Sequence, residues 1–157
     1  PKKGRKHILL IIREIINFEP DNKATNIDCA LHFMTEAIKK KCAAFLISDF
    51  IDDGDYSKSM TIANRKHDLT AIQVYDKRDS KMPDVGLVRV VDSETGKEMW
   101  IDTSSKRVRQ LYDKAWYERQ QRLYSITAKS GVDIASVATD EDYVKSLLGL
   151  FKKRSIH

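Results

Sequence analysis

The chain of 157 residues lacks the features that would put it in several large protein classes. Its two cysteines, Cys29 and Cys42, are too few for a disulfide framework and lack the spacing of a metal-binding knuckle. With 3 Pro and 6 Gly it is neither collagen-like nor low-complexity. No uninterrupted apolar run approaches the ~20 residues needed to cross a bilayer. No charged-then-apolar-then-small pattern of a secretory leader opens the chain. The expectation is a cytoplasmic protein in which this segment makes no membrane contact. What is present, 41% apolar and 32% charged residues, suits a folded chain rather than a disordered one. The length predicts a single domain over residues 1–157.

The net charge of +5 is unevenly placed. Residues 105–130 carry seven basic side chains (Lys106, Arg107, Arg109, Lys114, Arg119, Arg122, Lys129) against Asp113 and Glu118. That segment holds the whole excess, because the remaining 21 basic and 21 acidic residues cancel. The opposite extreme is Asp49–Asp55, with four carboxylates in seven residues. One face suits an acidic partner and another a cation.

Apolar spacing of three and four predicts helices over His7–Phe18 and from about Asn26 to Lys40. So many isoleucines in the first of them require tertiary burial, since β-branched residues have middling helix propensity. The run Cys42–Ser48 has no polar alternation and predicts a strand buried on both faces, as in a parallel sheet. A helix near Ser57–His67, a strand at Leu69–Tyr75 and a loop at Lys77–Asp84 follow. Gly86–Asp92 and Glu98–Asp102 flank a polar turn containing Gly96, a hairpin signal over about 86–102. Ser105–Lys129 predicts a long helix stopped by Gly131, Val132–Ala138 a third core strand, and Thr139 the cap of a last helix. The sum is an α/β chain with part of a doubly wound, mostly parallel sheet and an added β-hairpin.

The best-placed chemistry is at the end of the first core strand, where Asp49 follows Phe45-Leu46-Ile47-Ser48. Open α/β sheets bind ligands at the carboxyl ends of their strands, and a hard cation there takes oxygen ligands. Thr25, at the mouth of the second helix, offers a hydroxyl. In the plainer alternative Thr25 is a helix cap and Asp49 a turn residue.

The segments Asp21–Leu31 (DNKATNIDCAL), Ser48-Asp49-Phe50, Met82–Leu87 (MPDVGL), Asp92–Lys97 with Trp100–Thr103, and Thr139–Val144 run in order over nearly the whole chain. The series resembles the bacterial family catalogued as domain of unknown function 58, whose core is a von Willebrand factor A-like domain. The resemblance implies a doubly wound, Rossmann-like sheet flanked by helices and decorated by a hairpin. It also implies a metal-ion-dependent adhesion site, in which an Asp-x-Ser-x-Ser loop, a later Thr and a still later Asp hold a divalent ion, usually Mg²⁺. Thr25 matches the Thr and Asp49 the final Asp, while Asp52 and Asp53 would shape the loop that meets a partner. The first loop has no counterpart here, because the chain opens directly on the helix at His7, so the amino-terminal strands of the usual domain are expected to be missing. The position before Thr25 is Ala24, where such domains carry Gly. Mg²⁺ is therefore expected for the intact domain, with none bound tightly by this chain.

The family also implies a non-catalytic interaction module acting with a MoxR-type AAA+ ATPase, in chaperone-like assembly or maturation of an unknown client protein. Without the first strand, the edge of 42–48 is expected to be unpaired and open to self-association.

Asp55-Tyr56-Ser57-Lys58-Ser59 spells Asp-x-Ser-x-Ser literally but lies after Asp49, in the wrong context, and Ser57 reads better as a helix cap. The four histidines are scattered and the two cysteines read as small hydrophobes. No Gly-x-Ser-x-Gly elbow or phosphate-cradling loop is present. These absences give enzymatic activity little support. The alternative from another class is nucleic-acid binding by the basic helix 105–129, where Tyr112, Trp116, Tyr117 and Tyr124 interleave the cations. A long basic helix is more often a solvated face, and Tyr112 shares the apolar stripe.

Overall fold

The computed structural model describes residues 3–20, 25–92 and 96–154, without the Lys153 side chain. Ala24 and the turn residues Ser93, Glu94 and Thr95 lie outside the described residues. In chain order the elements are α1 (Arg5–Asn17), α2 (Ile27–Ala37), β1 (Ala43–Ser48), α3 (Ser57–Lys66), β2 (Asp68–Tyr75), α4 (Lys77–Ser80), β3 (Leu87–Val91), β4 (Glu98–Asp102), α5 (Lys106–Ser130), β5 (Asp133–Ala138) and α6 (Tyr143–Arg154). This is a mixed α/β architecture with a parallel sheet in the order β1-β2-β5 and a separate antiparallel hairpin, β3–β4.

The register sets which side chains share a face. Ala44 pairs with Leu69, and Leu46 with Ala71, which pairs in turn with Ile134. These residues join the core beneath α2, α3 and α5, with Ile27, Leu31, Met60, Ala63, Leu123 and Ile126. The alternate residues face α6, where Phe45 meets the Phe151 ring edge-on at 6.2 Å and Arg154 bonds Thr70. Helices thus cover both faces, as a parallel sheet requires.

The central strand β2 is buried almost end to end, whereas β1 alternates between exposed and half-buried positions. The expectation of full burial was therefore wrong for 42–48. Among the described residues β1 pairs only with β2, and Phe45 and Ile47 stay largely exposed. An edge strand covered on one side keeps the pleat's alternation.

Helix α1 departs further from expectation. It forms, but buries none of its residues, and Ile15 and Ile16 are 70% and 75% exposed. Its isoleucine stripe has no partner face within the described chain.

Two helix boundaries also differ. Lys77–Ser80 is a short helix, closed by a capping box between Asp76 and Asp79. The last helix begins at Tyr143, where Asp142 Oδ1 accepts the Val144 N–H at 3.0 Å. Thr139 is not its cap. Its N–H donates to the Tyr75 carbonyl and extends the β2–β5 pairing instead. Gly131 ends α5 in the left-handed region (φ 66°), the expected glycine stop.

Candidate functional site

The acidic loop leaves the carboxyl end of β1 and reaches α3, and its backbone is held from three sides. Asp52 anchors it to α2. Its Oδ2 accepts the Ile27 N–H at 2.8 Å and its Oδ1 accepts the Gly54 N–H at 2.7 Å. Both oxygens are therefore committed to backbone donors, one of them in the first turn of α2, where the helix dipole favours an anion. This bond joins the two segments that carry Thr25 and Asp49. The side chain that caps α2 is Asn26, accepting the Cys29 N–H at 2.8 Å, so Thr25 stands just outside the helix instead of capping it.

The second brace is Arg122, from the middle of α5. Its guanidinium donates to the carbonyls of Asp52 and Asp53, each at 3.2 Å, and to that of Gly54. It also sits 6.0 Å from the centroid of the buried Tyr56 ring. Burial raises the Tyr56 pKa above its ordinary value of 10.0, partly offset by the Arg122 charge. Sequence reading counted Arg122 only among the basic residues of its helix. A polar side chain at a buried turn of an otherwise amphipathic helix was the one available clue, and it names no target.

The third brace runs through the sheet. The Asp49 carbonyl accepts from Gln73 Nε2 at 3.4 Å. Gln73 is 1% exposed, and its Oε1 accepts from Ser136 Oγ, which meets Tyr124 OH at 3.0 Å. A buried amide needs such partners, and the chain of bonds fixes the loop's start to β2, β5 and α5. Between these anchors Phe50 adopts φ 59° while its side chain is buried and its N–H donates to Ser48 Oγ at 3.0 Å. A left-handed aromatic residue is costly, and the surrounding contacts hold it there.

What remains outward is carboxylate. Asp49 Oδ1 accepts the Ile51 N–H at 3.1 Å, and its Oδ2 makes no hydrogen bond among the described residues. Asp53 is exposed and, among the described residues, engages the fold through its backbone alone. The loop thus presents Asp49 and Asp53 on a backbone that Asp52 and Arg122 hold still. Among the described residues no three His, Cys, Asp or Glu side chains gather as a metal site would require.

The literal Asp-x-Ser-x-Ser stretch serves the fold. Asp55 Oδ1 accepts both the N–H and Oγ–H of Ser57, at 3.0 and 2.7 Å, while buried Ser59 donates to Asp28 across the α2–α3 contact. Ser57 is therefore the first residue of α3 and not its cap; Tyr56 holds the cap position without a side-chain bond, and Asp55, one residue earlier, accepts the Ser57 N–H. The Ser57 hydroxyl bond, then its N–H bond, hold the Asp55 pKa below the usual 3.8. A depressed acid pKa stabilises the fold above the unfolded value, and the effect is lost as pH falls through the folded one. Asp55→Asn should modestly lower stability at neutral pH and flatten the acid limb of the stability–pH profile below about pH 3.8, so that the variant and the unaltered chain converge in acid, as read by urea unfolding.

Part of the basic helix is engaged with its own protein. Arg109 bonds the Thr103 and Ser104 carbonyls and pairs with Asp84 at 2.9 Å. Lys114 pairs with Glu118, Tyr112 OH donates to the Arg78 carbonyl, and Trp116 packs on Tyr75 at 5.3 Å. Of the four aromatics, Tyr117 is the most exposed, at 62%.

Residues 1–122 match the family model described as Protein of unknown function DUF58. The chain belongs to that family. This DUF58 chain is 28% identical over 118 residues to an uncharacterized protein of Mycobacterium avium, covering 74% of this chain and 68% of that protein. It is 24% identical over 157 residues to uncharacterized proteins of Mycobacterium tuberculosis (H37Rv) and Mycobacterium bovis, covering 98% of this chain. It spans 49% of the length of those two relatives. No solved structure matches significantly. Among the described residues no helix is long and apolar enough to cross a membrane.

Proposed function

We propose that this DUF58 chain is a non-catalytic interaction module of von Willebrand factor A-like type. In this reading Asp49 and Asp53 on the braced acidic loop, with Thr25 beside it, meet a partner protein. The observation that carries the reading is the division of labour among the carboxylates. Asp52 is spent on backbone N–H groups and Arg122 on backbone carbonyls, while Asp49 and Asp53 keep oxygens free at the carboxyl end of a parallel strand. The family resemblance supplies the rest: a cytoplasmic MoxR-type AAA+ ATPase as partner, chaperone-like assembly or maturation as the task, and Mg²⁺ as the ion of the intact domain.

Calorimetric titration of Mg²⁺ and Mn²⁺ tests the metal part, using this chain and the longer Mycobacterium tuberculosis relative. The expected result is at most millimolar binding here, lost in Asp49→Ala, and tighter binding by the relative. Tight stoichiometric binding by this chain would overturn the incomplete site. Metal-dependent capture of the ATPase would support the partnership. Nucleic acid remains the alternative, to be adopted if the chain binds random DNA with a steep salt dependence while ignoring the ATPase.

The edge of β1, which among the described residues has no second strand partner, supports self-association through residues 42–48, since its backbone there runs beside exposed Phe45 and Ile47. Sedimentation velocity should show a concentration-dependent dimer that Ile47→Lys abolishes. A monomer at all concentrations would refute it.

A further inference from the structure

The amino end of the sheet, opposite the acidic loop, brings together two residues that the chain keeps 25 positions apart. Cys42 Sγ lies 3.4 Å from His67 Nδ1. The placement is rigid. The Cys42 carbonyl accepts the Asp68 N–H at 2.8 Å where β1 and β2 start, and the His67 N–H donates to the Ala63 carbonyl at 2.8 Å where α3 ends. The His67 ring is 1% exposed, and its Nε2 has no hydrogen-bond partner among the described residues. A buried imidazole kept for structure normally has both nitrogens satisfied, because an orphaned polar atom is costly. Here the ring's one polar partner among the described residues is a thiol. With the ring's own proton on Nε2, Nδ1 presents its lone pair to the S–H. Cys42 itself is only partly buried, and the exposed run Lys39-Lys40-Lys41 leads directly to it.

We propose that Cys42 is a modification site, a peroxide-sensitive thiol for which His67 is the proton acceptor. In the step, the S–H proton passes to His67 Nδ1 as the sulfur electron pair attacks the nearer peroxide oxygen. The O–O bond breaks, the S–O bond forms, and the departing hydroxide takes the proton back from Nδ1 to leave as water. Sulfur is oxidised by two electrons, hydrogen peroxide is reduced, and Cys42 becomes the sulfenic acid. Neither the acidic loop nor any metal takes part.

Cys29 is a built-in reference, because it is exposed on α2 and, among the described residues, no imidazole hydrogen-bonds its sulfur. The chain is treated with hydrogen peroxide in the presence of a dimedone probe, and each cysteine is followed by mass spectrometry. Cys42 should label roughly tenfold faster than the more exposed Cys29, a rate ratio that proton transfer to a positioned base readily supplies. In urea the ratio should fall to about one, since unfolding separates the pair. His67→Gln should slow Cys42 by roughly tenfold and leave Cys29 unchanged. A native ratio of one or less, a ratio that survives urea, or an unchanged Cys42 rate in His67→Gln would each overturn the assignment. If that variant does not fold, the native and urea ratios of the unaltered chain still decide.

Discussion

Met60→Ala is expected to destabilise the protein by about 3 kcal/mol, the largest effect foreseen for a single side chain here. Met60 is 0% exposed in the middle of α3, within the cluster that joins α2, α3, α5 and the inner face of the sheet. Deleting its thioether removes buried contacts and leaves a cavity that close-packed neighbours fill only in part. The loss is a large fraction of a typical domain stability of about 5–15 kcal/mol. Met60→Leu, similar in volume, should cost less than about 1.5 kcal/mol. Urea unfolding checks both. Equal losses in the two variants would mean that α3 is not packed as described. Because α2 and α3 flank the acidic loop, Met60→Ala should also raise hydrogen exchange at the Ile27 and Gly54 amides, the two that Asp52 accepts.

The second large effect belongs to Arg122. Arg122→Ala removes a charged donor from three successive carbonyls and from the face of Tyr56, and should cost about 2–3 kcal/mol. Charge alone does not explain the brace. A guanidinium offers five donors in a planar fork, whereas an ammonium is a point charge on a flexible stem. Arg122→Lys should therefore recover less than half of the loss. Partner capture should fall in both variants although neither changes a loop carboxylate. Full rescue by Lys would show that Arg122 acts through its charge on the neighbouring aspartates and not through the carbonyls.

The elements with strong periodicity were legible from the sequence alone. The helix over 105–129, its glycine stop at Gly131, the three core strands and the hairpin all appear within a few residues of their expected bounds. Local physics accounts for this, since apolar spacing and glycine's freedom at positive φ act without reference to the rest of the chain. Burial was less legible. An apolar run such as 42–48 reads identically at the centre or the edge of a sheet, because strand order is set by pairing with β2 and not by composition. The isoleucines of α1 likewise show what the helix needs and not what covers it.

At the candidate site the sequence marked Asp49, Asp52 and Asp53 by their clustering after a core strand and Thr25 by its place at the mouth of the second helix, and the family resemblance matched Thr25 and Asp49 to a metal site. It could not divide their duties. Two aspartates in one short loop are chemically alike until folding puts backbone N–H groups against Asp52 and leaves the Asp53 side chain outside. Arg122 lies 70 positions from Asp52, and His67 lies 25 from Cys42. Residue types and local spacing determined the elements and the place of the charged loop. Tertiary structure alone decided which side chains meet, because hydrogen bonds form between atoms within about 3 Å in space, whatever their separation along the chain.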